Sequence, residues 1–283
     1  MCQVIGVSRS GYYWWRKNEK SKRASENELL TGLIKKKHKG SRGVYGSPRV
    51  TEALWNDGVR CGENRVARIM RIEGIVGVGK KKYKVTTDSN HNKPVYPNIV
   101  QQRFEAERPN QLWTSDITYL WTREGWLYLA VILDIFSRMV VGWSLQATLQ
   151  KQLVVTALKN AIAIRCPAPG LSLYGLIFHS DRGSQYASDD VQRLLKQYKI
   201  QGSMSGKGNC YDNAVAESFF RSFKTEFVYR QELSTRRIAS MMTFDYIEVF
   251  YNRQRLHSSI GYMTPYEFEQ RVVPVTPKQI ILP

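Results

Sequence analysis

The stretch Gln111-Leu112-Trp113-Thr114-Ser115-Asp116-Ile117-Thr118-Tyr119-Leu120-Trp121 alternates as a half-buried strand does. Two further strand-like runs follow it, Trp126–Ile135 and Met139–Leu145, with Gly125 and Ser137-Arg138 marking tight turns between them. These segments predict a three-strand antiparallel meander. Beyond it, Lys151–Ile164 reads as a helix, Leu176–Ser180 as a short buried strand, Asp189–Tyr198 as a helix and Ile200–Met204 as another short strand. Helices over Asp212–Tyr229 and Arg236–Tyr251 complete the pattern.

Three antiparallel strands, then helix, strand, helix, strand and helix, is the order of a ribonuclease-H-like α/β domain, a mixed sheet flanked by helices. It is expected over residues 109–270, with 271–283 as a tail. Residues 26–78 predict a small helical domain, with helices over Glu26–Lys37, from Pro48 to about Asp57, and Asn64–Glu73. On the third of these, Val66, Ile69 and Met70 share one face, and Arg65, Arg68 and Arg71 fall on the other. An apolar back and an arginine front after a tight turn is how a helix-turn-helix meets DNA. Residues 1–25 form a basic aromatic segment (Tyr12, Tyr13, Trp14, Trp15, Arg16, Lys17), expected to pack on a neighbour. Residues 79–108 read as a basic linker, with Lys80, Lys81, Lys82 and Lys84 and an extended stretch near Asn90–Pro97.

Charge supports a polyanionic partner. The net charge is +18, and residues 1–108 hold 23 Lys and Arg against 10 Asp and Glu. An excess of that size on one third of the chain points to nucleic acid rather than to solubility alone. The four cysteines (Cys2, Cys61, Cys166, Cys210) and four histidines (His38, His91, His179, His257) are scattered, so neither a disulfide framework nor a structural zinc site is expected. No apolar run is long enough to span a membrane, and the first ten residues lack the apolar core of a secretory signal. A cytoplasmic, nucleoid-associated location is the corresponding expectation.

Three acids stand out by placement: Asp116 within a strand, Asp181 at the end of the apolar run Leu176–Ser180, and Glu217 on a helix. Carboxylates are costly to desolvate, and a cation removes that cost. Around Glu217, helical spacing puts Val215, Phe219, Phe220, Phe223 and Phe227 on a broad docking face, with Asn213, Glu217 and Lys224 opposite and facing outward. Packing does not explain this polar row. Mg²⁺ prefers carboxylate oxygens, and two such ions support in-line displacement at phosphorus. Lys224 is suited to hold a phosphate.

Asp181, 35 intervening residues, Glu217 and then a lysine seven further on is a specific pattern. With it come Trp113-Thr114-Ser115-Asp116-Ile117-Thr118-Tyr119, Leu133-Asp134-Ile135-Phe136-Ser137-Arg138, His179-Ser180-Asp181-Arg182-Gly183-Ser184-Gln185-Tyr186, Gly208–Ala214, and Tyr251-Asn252 through His257 to Thr264-Pro265. On these motifs the chain resembles the second-frame transposases of the bacterial IS3 insertion-sequence family, whose core is similar to retroviral integrases. The resemblance implies that Asp116, Asp181 and Glu217 are catalytic metal ligands holding two Mg²⁺ ions, replaceable by Mn²⁺. Lys224 carries over as the family's lysine after the glutamate, and the helix faces themselves point to DNA contacts by Lys224, Asn213, Arg65, Arg68 and Arg71. The resemblance further implies double-stranded DNA partners (the element's terminal inverted repeats and a target), the first-frame product or a fusion with it, and assembly of several copies on DNA. Asp134 reads as a strand-end acid bonded to Arg138, His179 as a hydrogen-bonded neighbour of the site, and Asp212 as the cap of the Glu217 helix. A simple nuclease of the same fold, or a DNA-binding regulator with an inactive core, are the competing readings.

Overall fold

A computed structural model describes residues 2, 4–17, 21–79, 95–167, 172–206 and 213–272. The chain divides into two compact units, Met1–Val78 and Gly79–Pro283.

In the first unit, α1 (Arg9–Lys17) precedes α2 (Lys22–Gly40), α3 (Ser47–Asn56) and α4 (Glu63–Ile72). Ser21 caps α2 by accepting the Ala24 amide, and Pro48 sits in the first turn of α3, where its missing N–H costs nothing. Leu30 and Ile34 of α2, Val50, Ala53 and Leu54 of α3, and Val66, Ile69 and Met70 of α4 make the core. The expected apolar face of α4 is therefore the buried one. The aromatic segment differs from expectation: α1 buries none of its residues, and Trp14 and Trp15 stand largely exposed.

The second unit is built on a five-stranded sheet in the order β3-β2-β1-β4-β5, where β1 is Leu112–Thr122, β2 Gly125–Asp134, β3 Val140–Gln146, β4 Ile177–Ser180 and β5 Gln201–Met204. β1, β2 and β3 form the antiparallel meander, while β4 and β5 run parallel to β1. Both meander turns use the left-handed backbone region, with Gly125 at φ +105° and Arg138 at φ 62°. The mixed α/β sheet of the ribonuclease-H type is the fold read from the sequence.

Helix α5 (Lys151–Arg165) packs Leu153, Val154, Ala157, Leu158, Ala161 and Ile162 against one face of the sheet, around Trp113, Ile132 and Val141. Helix α6 (Asp189–Gln197) makes the crossover from β4 to β5 and joins the same core through Val191 and Leu195. Residues 95–106 lie on this unit: Ile99 donates its amide to Ser203, and Val100 packs with Leu112 and Ile135.

Beyond the sheet, α7 (Ala214–Glu226) ends earlier than the expected Asp212–Tyr229. The expected Arg236–Tyr251 helix is α8 (Arg236–Phe244) continued by a wider π-helical stretch, Asp245–Tyr251. A last helix, α9 (Pro265–Val272), had no sequence signal strong enough to stand out. Lys80–Lys84, the Gly208–Asp212 half of one motif, the proposed Asp212 cap and residues 273–283 lie outside the described residues.

The contact of α5 with β3 is close enough to test. A Cβ built on Gly142 would stand 2.5 Å from the carbonyl oxygen of Ala157 and 2.6 Å from Cβ of Ala161. Backbone on both sides leaves no room to yield. Gly142→Ala should cost about 1–3 kcal/mol by overpacking and lower the melting temperature by several degrees. An unchanged melting temperature would show that α5 rides further from β3 than this.

Candidate active site where the β1 and β4 pairing ends

β4 pairs with β1 from Leu112↔Ile177 to Ser115↔Ser180 and stops there. The next residue on each strand is an aspartate, Asp116 on one and Asp181 on the other. Parallel register thus places the two carboxylates side by side where the pairing ends, Asp116 in the middle of β1 and Asp181 just past the carboxyl end of β4. Each is held from behind by backbone. Asp116 Oδ1 accepts the amide of Ile117 at 2.7 Å, and Asp181 Oδ1 accepts the amide of Gly183 at 2.9 Å.

Burial pushes the Asp116 carboxyl well above the usual carboxylate range. The charge of Asp181 pushes it further, Glu217 adds a smaller push, and the Ile117 amide and Lys224 oppose them. Tyr186 closes the floor of the site. Its hydroxyl is buried 2.9 Å from Ser115 Oγ, which itself donates to the Val131 carbonyl, so the tyrosine donates. Burial and the negative charges of Asp181 and Asp116 keep that phenol protonated.

Glu217 enters from α7. Phe219, Phe220 and Phe223 of this helix, together with Phe227 just beyond it, are buried. At about 1.5–3 kcal/mol for each large apolar side chain removed from water, they dominate the docking of α7. Glu217 stays half-buried, its pKa raised by burial and eased by Arg221. Its charge adds to the upward push on the Asp116 carboxyl. Among the described residues, no three His, Cys, Asp or Glu side chains are gathered closely enough to form one metal-holding group. The structure brings Asp116 and Asp181 together and leaves Glu217 near them, on the adjoining helix.

The polar row of α7 does not face outward as expected. Asn213 is buried at the head of the helix, where its Oδ1 accepts the Thr114 hydroxyl at 2.6 Å and its Nδ2 donates to the Ser115 carbonyl. It ties the start of α7 to the strand that carries Asp116. Lys224 is 7% exposed and lays its ammonium 4.8 Å from the centre of the Tyr119 ring. Burial lowers its pKa, and the charge of Asp116 raises it. Helical periodicity placed both residues on one side of α7. It could not show that this side leans onto β1.

Sequence reasoning missed the brace at the other end of α7. Arg255 reaches the Glu226 carboxylate with Nε at 2.7 Å and Nη2 at 2.6 Å, and Nη2 also donates to Ser222. The two side chains are 5% and 6% exposed, and the Tyr246 hydroxyl adds a third donor to Glu226. Asn252 grips β3 from the same segment, accepting from Val140 N and donating to Val140 O, both at 3.0 Å. The Tyr251–His257 motif was the available signal, but spacing alone does not say what an arginine will meet.

Two neighbouring expectations are settled by contacts. Asp134 does not rely on the side chain of Arg138, which meets it only through backbone, Arg138 N donating to Asp134 O. Its oxygens accept the amides of Asn110 and Phe136, and the nearer cation is Arg165 at 3.9 Å. Burial raises its pKa to about 6. His179 is buried and hydrogen-bonded through Nδ1 to Ser203. In the first unit, Arg65 turns back onto α2, bonding Asn27 at 2.8 Å and Glu26 at 3.1 Å, while Arg68 and Arg71 remain exposed.

The chain is similar to known proteins over most of its length. An integrase core domain family matches residues 106–210, a second family of the same description matches 217–273, and an HTH-like domain family matches 25–83. The Shigella sonnei "Insertion element IS600 uncharacterized 31 kDa protein" is 42% identical over 96% of this chain and 98% of its own length. The Escherichia coli "Transposase InsF for insertion sequence IS3A" is 40% identical over 96% of this chain and 93% of its own. Among solved structures, a chain of a simian T-cell lymphotropic virus intasome covers 80% of this chain at 18% identity, with a TM-score of 0.48.

The like-charge pair makes a prediction for the metal-free protein. A carboxyl whose folded pKa stands above its unfolded value weakens the fold once the unfolded group ionises. That penalty is absent in acid and grows as pH rises. Asn in place of Asp116 keeps an acceptor for Ile117 and removes the charge. In excess chelator at pH 7.5, Asp116→Asn should therefore melt above the parent protein, and the gain should vanish toward pH 3. A lower melting temperature at pH 7.5 would mean that Asp116 is not under electrostatic stress.

Proposed function

We propose, for a chain that belongs to the IS3 family of transposases, that Asp116, Asp181 and Glu217 are the carboxylates with which it cuts and rejoins DNA. The protein catalyses DNA transposition and integration, a nucleotidyl transfer, on an integrase core. The observation that carries the residue assignment is the β1–β4 register, which sets two aspartates side by side at the end of a parallel pair and leaves them repelling each other.

That aspartate pair fits a hard divalent cation. Two carboxylates whose mutual repulsion raises a pKa are stabilised by a counter-charge, and oxygen donors of this kind suit Mg²⁺, with Mn²⁺ as substitute. When bound, two such ions supply activation of the attacking oxygen and stabilisation of the leaving one. Asp116 and Asp181 would hold them from the sheet, and Glu217 would complete the set from α7. Lys224 stands beside Asp116 with its charge largely desolvated, which suits a phosphate next to the reacting one. Tyr186 walls the site from beneath. Asn213 and the Arg255–Glu226 brace hold α7 at its two ends, which fixes where Glu217 and Lys224 sit.

On this reading residues 26–78 grip DNA, 109–270 perform the chemistry, and the basic stretch 79–108 connects them. Arg68 and Arg71 serve as the exposed cations of the helix-turn-helix. Arg65 braces α4 on α2 instead. The substrates are the element's terminal inverted repeats and target DNA, bound by several copies of the chain with the first-frame product or its fusion. Among the described residues no helix is long and apolar enough to cross a membrane, and a nucleoid-associated role in the cytoplasm suits a DNA substrate.

Mg²⁺-dependent strand transfer on DNA carrying the element's own ends tests the assignment. Asp116→Asn, Asp181→Asn and Glu217→Gln should each reduce transfer by at least about a thousandfold, while DNA binding in Ca²⁺ persists. Near-normal transfer by any one of them would remove that residue from the set.

A separate measurement addresses the helix-turn-helix. Arg68→Ala combined with Arg71→Ala should lower DNA affinity uniformly across sequences and reduce the slope of log affinity against log salt by about two. An unchanged slope would make these arginines solvated side chains without a phosphate partner.

A further inference from the structure

The β1–β2 hairpin extends past the point where β4 stops, so among the described residues β1 from Asp116 to Thr122 has no strand on that edge. Near the hairpin tip three large aromatic side chains meet in solvent. Trp121 lies directly across from Trp126 in the register, and Tyr119 sits diagonally from Trp126. Their rings form two edge-to-face contacts, Trp121–Trp126 at 4.8 Å and Tyr119–Trp126 at 5.1 Å. All three remain exposed, at 37% for Tyr119, 57% for Trp121 and 44% for Trp126. About half of their surface thus stays in water, and a contiguous exposed patch of this kind marks a contact site.

The position of the patch indicates what it contacts. By strand alternation Tyr119 and Trp121 point to the face opposite Asp116, and the two faces meet at the open edge of β1. Lys224 acts on groups of both faces. Its ammonium lies over the Tyr119 ring, and its charge acts on the Asp116 carboxyl. One lysine side chain thus joins the aromatic patch to the acidic site. Along β1, Tyr119 is about 10 Å from Asp116 and Trp121 about 17 Å, at 3.3–3.4 Å per residue. These distances correspond to roughly three and five base steps of DNA. At the hairpin turn Arg123 and Arg236 are matched by Glu232 and Glu124, and Lys224 beside Tyr119 adds the positive charge that favours an anionic occupant.

We propose that Tyr119, Trp121 and Trp126 are a stacking platform for unpaired DNA bases three to five nucleotides from the phosphate being cut. Aromatic faces hold bases of any identity, which suits DNA ends and targets of differing sequence. The lysine over Tyr119 would then hold the phosphate between the reacting one and the first stacked base. This inference rests on the assignment of Asp116 to the reacting centre, and its test separates the two.

The test uses the full chain with a blunt DNA duplex and the same duplex carrying a five-nucleotide single-stranded tail, with 2-aminopurine placed at each tail position in turn. Wild-type protein should quench the fluorophore at specific tail positions and bind the tailed duplex more tightly than the blunt one. Tyr119→Leu, Trp121→Leu and Trp126→Leu combined should abolish the quenching and weaken tailed-duplex binding by about tenfold or more, leaving blunt-duplex binding unchanged. Trp121→Tyr and Trp126→Tyr should retain the quenching, since stacking survives. Asp116→Asn should lose strand transfer and keep the quenching. If it keeps transfer while the aromatic effects hold, the carboxylate assignment fails and base stacking stands. Equal loss on blunt and tailed duplex, or unaltered quenching in the triple leucine variant, would overturn the platform. So would a fall in sedimentation mass of the triple leucine variant with its fluorescence response intact, which would give the patch to a second copy of this chain.

Discussion

Two like charges held together at the end of a parallel strand pair are the constraint around which this molecule is organised. β1 and β4 are largely buried where they pair, with Leu112, Trp113 and Phe178 in the core, so packing sets their register and restrains the residues just past the last pair. Those residues are Asp116 and Asp181. Their repulsion makes the site a poor contributor to stability. Much of the surrounding structure supplies the rigidity that keeps the two carboxylates from relaxing apart.

Helix α7 supplies part of that rigidity from a different source. Its phenylalanines give the docking energy, but a row of similar rings on a helix tolerates rotation and sliding. Directional contacts remove that freedom. Asn213 bonds Thr114 and Ser115 at the start of the helix, and Arg255 takes the Glu226 carboxylate with two nitrogens at its end. A buried bidentate ion pair adds little net stability, because both charges lose water on burial. It does specify geometry, which a helix carrying Glu217 and Lys224 requires. The Tyr251–His257 motif finds its physical role here, clamping β3 through Asn252 and α7 through Arg255.

The first unit divides its cations between structure and surface. Arg65 is held by Asn27 and Glu26, so part of the basic face of α4 is devoted to fixing that helix against α2. Arg68 and Arg71 keep their charges in water.

The sequence by itself determined the order of the five strands and of the helices among them, and the apolar faces of α4 and α7, and it drew attention to three acids. Period-two and period-3.6 patterns encode which side of an element is buried, and a carboxylate within an apolar run is conspicuous because burying it is costly. The residues that decide local geometry were not legible in the same way. Asn213 and Lys224 were expected to face solvent, since periodicity gives an angle around α7 without saying what lies beside it. The real neighbour of Asp134 is Arg165, thirty-one positions along, and Arg255 meets Glu226 from twenty-nine positions away. Such pairings depend on which segments the core brings into contact, a property of the packed chain as a whole. For the same reason the approach of Asp116 to Asp181 waited on tertiary structure: each strand announced its acid, but only the register between them made the two carboxylates neighbours.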